Sequence, residues 1–185
     1  MSSAAAADRG SPGRAPLPAR PAPLRTLLLG MGNPILCDDG IGIRLARHIG
    51  SLLGATPGLV VEPECTVGGL NLLELAAGFD RLVVVDSIKT RGGRPGDWYR
   101  FDGAALRETM NLSNVHDANF ATAMELGRRM GMHVPGEADI HVFAVEVREN
   151  LAFGESLSRE LEDALPLLCE QMLDEIEELL QERRY

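Results

Sequence analysis

Four residues of this sequence combine side-chain types that can bind a divalent cation. Asp38 and Asp39 are adjacent in the stretch TLLLGMGNPILCDDGIG, residues 26–42, shortly after an apolar run. Asp86 ends a second apolar run, LVVVD, and His116 lies in SNVHDANF, where a helix is predicted to begin. Carboxylate oxygens and an imidazole nitrogen suit a borderline ion such as nickel or zinc. With one coordination position left open, such a set can activate water or polarise a carbonyl group.

Each candidate also has a structural interpretation. Asp86 can cap the turn after its strand, and Asp38 or Asp39 is placed to cap the helix that follows. His116 would stand in a first helical turn, where the helix dipole disfavours imidazolium and so favours the neutral ring that metal binding requires. A lone histidine is nevertheless more often structural, and Cys37 is better explained as a buried thiol than as a soft ligand. The remaining histidines are weaker candidates: His48, His133 and His141.

The glycines of the first stretch raise an alternative, which is a phosphate-binding loop. Gly30 and Gly32 fit the first two glycines of the dinucleotide-binding motif G-x-G-x-x-G, but Ile35 occupies the third position. No G-K-[ST] sequence follows, which excludes a P-loop. Asp38 and Asp39 would also repel a phosphate at the helix N-terminus that should bind it. The sequence therefore favours a cation at this turn.

The spacing of apolar residues predicts the elements that position these side chains. Short continuous apolar runs indicate buried strands, and apolar residues three or four positions apart indicate helices. The predicted strands are Leu27–Leu29, Leu59–Val61, RLVVVDSI, WYRF at an edge, and DIHVFAVEV. The predicted helices are Gly40–Leu53, a short one after TVGG, one in SNVHDANFATAMELGRRMG capped by Ser113 or Asn114, and Ser158 to about Glu182. This alternation predicts an α/β domain whose mainly parallel sheet is covered on both sides.

Proline and glycine give further expectations about local geometry. Pro166 lacks an N–H group and should kink or restart the last helix. Gly30 and Gly32 are expected to bend the chain after the first strand. Gly40 and Gly42 are expected to keep the start of the following helix clear for a bulky partner.

Composition limits the classes of partner. The net charge of −9 and the 4% content of aromatic residues argue against nucleic acid. No apolar run approaches the about 18 residues of a membrane span. Three widely spaced cysteines favour reduced thiols in the cytoplasm. Residues 1–23 are predicted to be a disordered tail and 24–185 a single domain, with a monomer as the default.

The motifs together resemble those of the nickel–iron hydrogenase maturation endopeptidases. GMGNPILCDDGIG is similar to the opening family signature G-x-G-N-x-L-x-x-D-D/E-x-x-G, with the leucine displaced by one or two residues. GGLNLLELAAGFDRLVVVDSI and SNVHDANF continue the likeness in the same order. The resemblance covers about residues 26–180. The chain departs from the family in its long N-terminal tail and in FAVEVREN, which lacks a proline after the last strand.

This resemblance implies a twisted five-stranded α/β fold and a function. The family removes a C-terminal extension from the precursor of the hydrogenase large subunit once nickel has been inserted, and the substrate supplies the nickel. Its three metal-contacting positions, which are also the catalytic set, fall on Asp39, Asp86 and His116, with Asp38 in a capping or supporting role. Water would be activated by the metal or by a carboxylate.

Two other functions remain open at this point. One is a zinc-dependent amidase or peptidase of similar fold that holds its own metal. The other is a non-catalytic nickel-sensing or scaffold protein that binds the large subunit without cutting it. A serine-type hydrolase is disfavoured because no G-x-S-x-G motif is present.

Overall fold

The computed structural model describes residues 23–66, 70–108, 115–148 and 151–182. Its strands are β1 (Thr26–Met31), β2 (Leu59–Cys65), β3 (Arg81–Ile88), β4 (Trp98–Asp102) and β5 (Ile140–Glu146). Its helices are α1 (Ile41–Leu53), α2 (Leu70–Ala76), α3 (Gly103–Glu108), α4 (Val115–Arg129) and α5 (Arg159–Gln181). Short 3-10 turns cover Cys37–Gly40 and Glu137–Asp139. Residues 1–22 of the predicted tail, the glycine turn at 67–69 and the predicted cap at Ser113 or Asn114 lie outside these ranges.

The strands form one five-stranded sheet in the order β2-β1-β3-β5-β4. β1 pairs in parallel with β2 and β3, β3 pairs in parallel with β5, and β4 runs antiparallel to β5 at the edge. The prediction of a mainly parallel sheet with WYRF at its edge is therefore confirmed. β2 at the other edge continues past Val61 to Cys65 and contains Pro63, which an edge strand tolerates because one row of its N–H groups needs no partner.

Apolar side chains cover the sheet on both faces. All eight residues of β3 are buried, as expected for a strand between two layers. One core cluster joins the sheet to α2 and α4 through Leu72, Leu73, Ala123 and Met124. The other joins it to α1 and α5 through Leu45, Ile49, Leu161 and Met172. The molecule thus has the predicted three-layer arrangement of helices, sheet and helices.

Of the two effects expected of Pro166, a restart of the last helix is wrong, because α5 runs without interruption from Arg159 to Gln181, while a kink stays a prediction. Pro166 removes the N–H group that would bond the carbonyl of Glu162, and both residues are exposed. Water can therefore satisfy that carbonyl, and the helix continues. α3, directly after β4, is an additional helix that apolar spacing did not predict.

Two global expectations bear on the chain's surroundings. Cys37, Cys65 and Cys169 are all free thiols, as predicted, although Cys37 is only partly buried. Within the described ranges, none of the helices combines the length and the apolar character needed to cross a membrane.

Candidate functional site

The carboxyl ends of β1 and β3 meet at the point where the strand order reverses. β1 and β3 are hydrogen-bonded neighbours, with Gly30 opposite Val85, and the chain leaves β1 towards β2 on the other side. In open α/β sheets this is where ligands bind, because the following loops diverge and leave a crevice. Asp39 follows β1 and Asp86 lies near the end of β3, so both residues are at the carboxyl edge of neighbouring strands.

Ser87 connects these two carboxylates. Its hydroxyl donates to Asp39 Oδ1 over 2.7 Å, and its backbone N–H donates to Asp86 Oδ1 over 2.7 Å. Asp39 Oδ2 accepts a further bond from the N–H of Asn33 over 2.8 Å. Asp39 is 7% exposed and Asp86 is 2% exposed. Both acidic side chains are thus buried and held in fixed orientations at the sheet edge.

Strand alternation explains why the side chains of Ser87 and Asp86 point to different faces of the sheet. In β3, Val83 and Val85 pack with α1 and α5, whereas Leu82 and Val84 pack with α2 and α4. Since successive side chains point to opposite faces, Ser87 shares the α1 side, from which Asp39 approaches, and Asp86 shares the α4 side.

Asp38 and Asp39 do not cap α1, so that prediction is wrong. α1 begins after Gly40 without a side-chain hydrogen bond at its N-cap, because the 3-10 turn leads directly into the helix. Asp38 is 1% exposed, and its Oδ1 accepts the N–H of Ser158 over 2.6 Å. It therefore ties the first loop to the start of α5.

Two glycines are required to bring the first loop against the strands. Gly32 has φ +135°, and a Cβ there would lie 2.0 Å from the carbonyl oxygen of Asp39. At Gly42 a Cβ would lie 2.4 Å from the carbonyl oxygens of both Met31 and Val85. The expectation that Gly42 leaves room for a partner is wrong, since that space is filled by the sheet itself.

His116 lies in the first turn of α4, as predicted, and its side chain is outside the described part of the structure. α4 ends near the amino edge of the sheet, where Gly78 N–H donates to the carbonyl of His133 over 2.7 Å. The direction of the helix therefore carries its first turn towards the opposite, carboxyl edge. Among the described side chains, no three His, Cys, Asp or Glu residues form a group that could hold a metal ion.

The other histidines lie away from the two aspartates. His48 is exposed on α1, and His133 Nε2 lies 2.9 Å from Asp80 Oδ1 near the amino edge. His141 is at the amino end of β5, where burial, followed by the charges of Arg100 and Arg81, lowers its pKa from 6.5 to about 4. None of them belongs to the carboxyl-edge site.

Sequence reasoning missed the groups that orient the aspartates. The most important is Ser87, whose signal was a small hydroxyl residue within the apolar run VVVDSI, at a position facing the first loop. The N–H groups of Asn33 and Ser158 left no signal in the sequence, because any residue other than proline supplies such a donor.

Sequence comparisons match the chain to hydrogenase maturation proteases. A family model described as hydrogenase maturation protease, HycI, matches residues 66–175, more than half of the chain. That range contains Asp86 and His116, whereas Asp39 precedes it. The hydrogenase 2 maturation protease of Escherichia coli (strain K12) is 32% identical over 73 residues. The aligned segment covers 40% of this chain and 44% of that protein, so it spans less than half of the relative.

Structural comparisons agree on the fold. The hydrogenase maturating endopeptidase HybD from E. coli superposes with a TM-score of 0.68 at 24% identity, over 84% of this chain and 93% of that one. The [NiFe] hydrogenase maturation protease HybD from Thermococcus kodakarensis gives a TM-score of 0.61 at 24% identity, over 82% and 98%. At 24% identity these superpositions support the fold alone, whereas the family model is a match in sequence. By that sequence match, the chain belongs to the hydrogenase maturation protease family.

Proposed function

We propose that this protein is an endopeptidase that removes the C-terminal extension of a nickel–iron hydrogenase large-subunit precursor after nickel insertion. The observation that carries the proposal is the pair of buried carboxylates, Asp39 and Asp86, joined through Ser87 at the carboxyl edge of the sheet. Family membership gives this arrangement its chemical context. We further propose that a monomer carries out the reaction in the cytoplasm, and three free thiols support a reducing compartment.

In the proposed reaction, nickel belongs to the substrate. The precursor presents its bound nickel to Asp39, Asp86 and His116, and this contact fixes the neighbouring peptide bond for attack by water. Each oxygen of Asp39 accepts one hydrogen bond within the protein, which leaves acceptor capacity for the substrate. The protein needs no permanent cofactor in this scheme.

The same carboxylates would reject a precursor without nickel. Two buried acidic groups at one sheet edge are costly to cover unless a positive charge accompanies the ligand. Nickel in the precursor provides that charge, whereas an unloaded precursor brings a bare peptide against the carboxylates. Cleavage is therefore expected only after metal insertion.

Exposed apolar side chains beside the site support a protein as substrate. Leu36 and Gly154 form a β-bridge, which brings the adjacent residues Ile35 and Phe153 to the same part of the surface. These two side chains are 49% and 84% exposed. Apolar surface next to a site is typical of a face that a protein partner covers.

The proposal is tested by incubating the protein with nickel-loaded precursor and measuring the mass of the product. Asp39→Asn, Asp86→Asn and His116→Ala should each reduce cleavage strongly. The exposed residues Asp163 and His48 provide matched controls, Asp163→Asn and His48→Ala, which should cleave like the wild type. Full cleavage by all three site variants would overturn the assignment.

Elemental analysis of the purified protein separates the proposal from its alternatives. Substoichiometric metal together with cleavage of the precursor supports an enzyme that uses nickel of the substrate. Stoichiometric zinc would instead identify a hydrolase that holds its own metal. Stable binding of the precursor with no change in its mass would identify a scaffold or sensor.

A further inference from the structure

The loop between β3 and β4, residues 89–97, concentrates positive charge on an acidic protein. Lys89, Arg91 and Arg94 are exposed, and Lys89 is the only lysine in the sequence. None of the three forms an ion pair within the part of the chain that the structure describes. The whole chain carries a net charge of −9, so this cationic loop stands out from its surroundings.

The cationic loop is fixed to the sheet by a buried carboxylate. Glu146, at the end of β5, is 1% exposed. Its Oε1 accepts the N–H of Thr90 over 2.6 Å, and its Oε2 accepts the hydroxyl of Thr90 over 2.7 Å. Its backbone accepts from the N–H of Gly96 over 3.0 Å and donates to the carbonyl of Asp97 over 2.8 Å. Both ends of the loop are therefore anchored by one residue.

Close packing fixes the middle of the cationic loop as well. A Cβ at Gly93 would lie 2.1 Å from Cδ of Glu146, so a larger residue there would displace this carboxylate from its bonds to Thr90. A tight turn joins Arg94 to Asp97 through the bond from Asp97 N–H to the carbonyl of Arg94, 3.0 Å long. The three cations are thus presented from an ordered backbone, which lowers the entropy cost of binding to them.

The cationic loop borders the candidate site. Lys89 follows Asp86 by three residues along the chain, and the loop crosses from β3 over β5 to β4 at the carboxyl edge of the sheet. Asp39 and Asp86 would repel an acidic ligand, whereas the adjacent loop attracts it. An acidic segment would therefore lie beside the aspartates, over the loop, without entering the site itself.

We propose that the cationic loop binds an acidic polypeptide segment of the protein that the site acts on. The identity of that partner as the protease substrate rests on the proposed function. The acidic character of its segment is inferred from the positive charge of the loop. Nucleic acid is the less suitable polyanion, because aromatic residues make up only 4% of the chain and few are available to stack on bases, whereas an acidic peptide needs only the cations. The cationic loop is expected to speed association with the substrate and to strengthen binding, because exposed charges mainly steer association.

Lys89 offers a direct measurement that does not depend on protease activity. Reductive methylation with an isotopic label preserves the charge and marks only Lys89 and the chain's terminal amine. Titration with a short polyglutamate peptide should shift the NMR signal of Lys89, and added salt should reverse the shift. Polylysine of the same length should have no effect. Absence of a polyglutamate response, or a larger response to an oligonucleotide, would overturn the proposal.

The kinetic test compares two double variants, each of which lacks two positive charges. One pair is in the cationic loop at the carboxyl edge of the sheet, and the other is at the amino edge. The double variant Arg91→Ala with Arg94→Ala should raise KM for the precursor roughly 3- to 10-fold at unchanged kcat. The control double variant, Arg128→Ala with Arg129→Ala, removes the same charge at the amino edge and should leave KM unchanged. Thermal unfolding of both variants checks that they are folded.

The two measurements separate this inference from the proposed function. If the wild-type protein cleaves no precursor, the proposed function fails, and the Lys89 titration alone decides whether the cationic loop binds acidic peptide. If cleavage proceeds but both double variants have the KM of the wild type, the loop does not recognise the substrate and the inference is overturned.

Discussion

Replacing Ser87 with alanine should show whether the orientation of Asp39 matters for catalysis. The hydroxyl of Ser87 donates to Asp39 Oδ1 over 2.7 Å, and Ser87 is 1% exposed, so no bulk water replaces it. The backbone bond from Ser87 to Asp86 does not involve the side chain and is retained in Ser87→Ala. The substitution therefore removes one contact to Asp39 and leaves Asp86 in place.

The size of the effect follows from the type of hydrogen bond. A hydrogen bond to a charged acceptor contributes about 1.5–3 kcal/mol. Since each 1.36 kcal/mol of transition-state stabilisation corresponds to about tenfold in rate, kcat/KM for the precursor should fall by roughly 10- to 150-fold. The bond from Asn33 N–H to Asp39 Oδ2 remains and keeps the carboxylate partly oriented.

The assay is a time course of precursor cleavage followed by intact mass. Ser51→Ala is the matched control, because Ser51 is exposed and its hydroxyl only donates to the carbonyl of His48. Activity of Ser87→Ala within about twofold of the wild type, in a folded protein, would refute the orienting role. Equal activity with lowered thermal stability would make Ser87 a structural residue only.

Three further predictions concern stability. Because the pKa of His141 is lowered to about 4, the unfolded chain binds a proton that the folded one lacks between pH 4 and its ordinary 6.5. The free energy of unfolding should therefore fall by roughly 3 kcal/mol as the pH decreases through this window, and the difference from His141→Gln in denaturant titrations isolates that slope. Gly32→Ala should lower the free energy of unfolding in urea by at least about 2 kcal/mol, because φ is +135° and a backbone carbonyl fills the space of the new Cβ. The control Gly92→Ala, in open space, should lower it by about 1 kcal/mol. Asp38→Ala should cost about 2 kcal/mol and speed amide hydrogen exchange at Ser158, while Asp38→Asn keeps an acceptor and should cost less.

Local periodicity was sufficient to predict the sheet and most of the helices. Residues 82–85 of β3 form a continuous apolar run, which is typical of a strand between two helical layers, and all of β3 is buried, including Arg81. The same run fixed the position of Asp86 at the carboxyl edge. Asp39 lies at the same edge, because β1 and β3 are parallel neighbours whose carboxyl ends coincide.

The errors arose where non-local contacts decide the outcome. Asp38 has the side chain of a helix cap, yet it bonds to Ser158, which is 120 residues away in the chain. Gly42 was expected to leave room for a partner, but the space beside it is filled by the backbone carbonyl of Val85 in β3. Pro166 is tolerated because its turn of α5 faces solvent. Each outcome depends on packing that a short window of sequence does not contain.

The central claim is tested most directly by comparing nickel-loaded and nickel-free precursor as substrates of the wild-type protein. The site built on Asp39 and Asp86 predicts that only the nickel-loaded precursor loses its C-terminal extension, with a mass change equal to that segment, and that Asp86→Asn abolishes the cleavage. Equal cleavage of the nickel-free precursor would contradict the account.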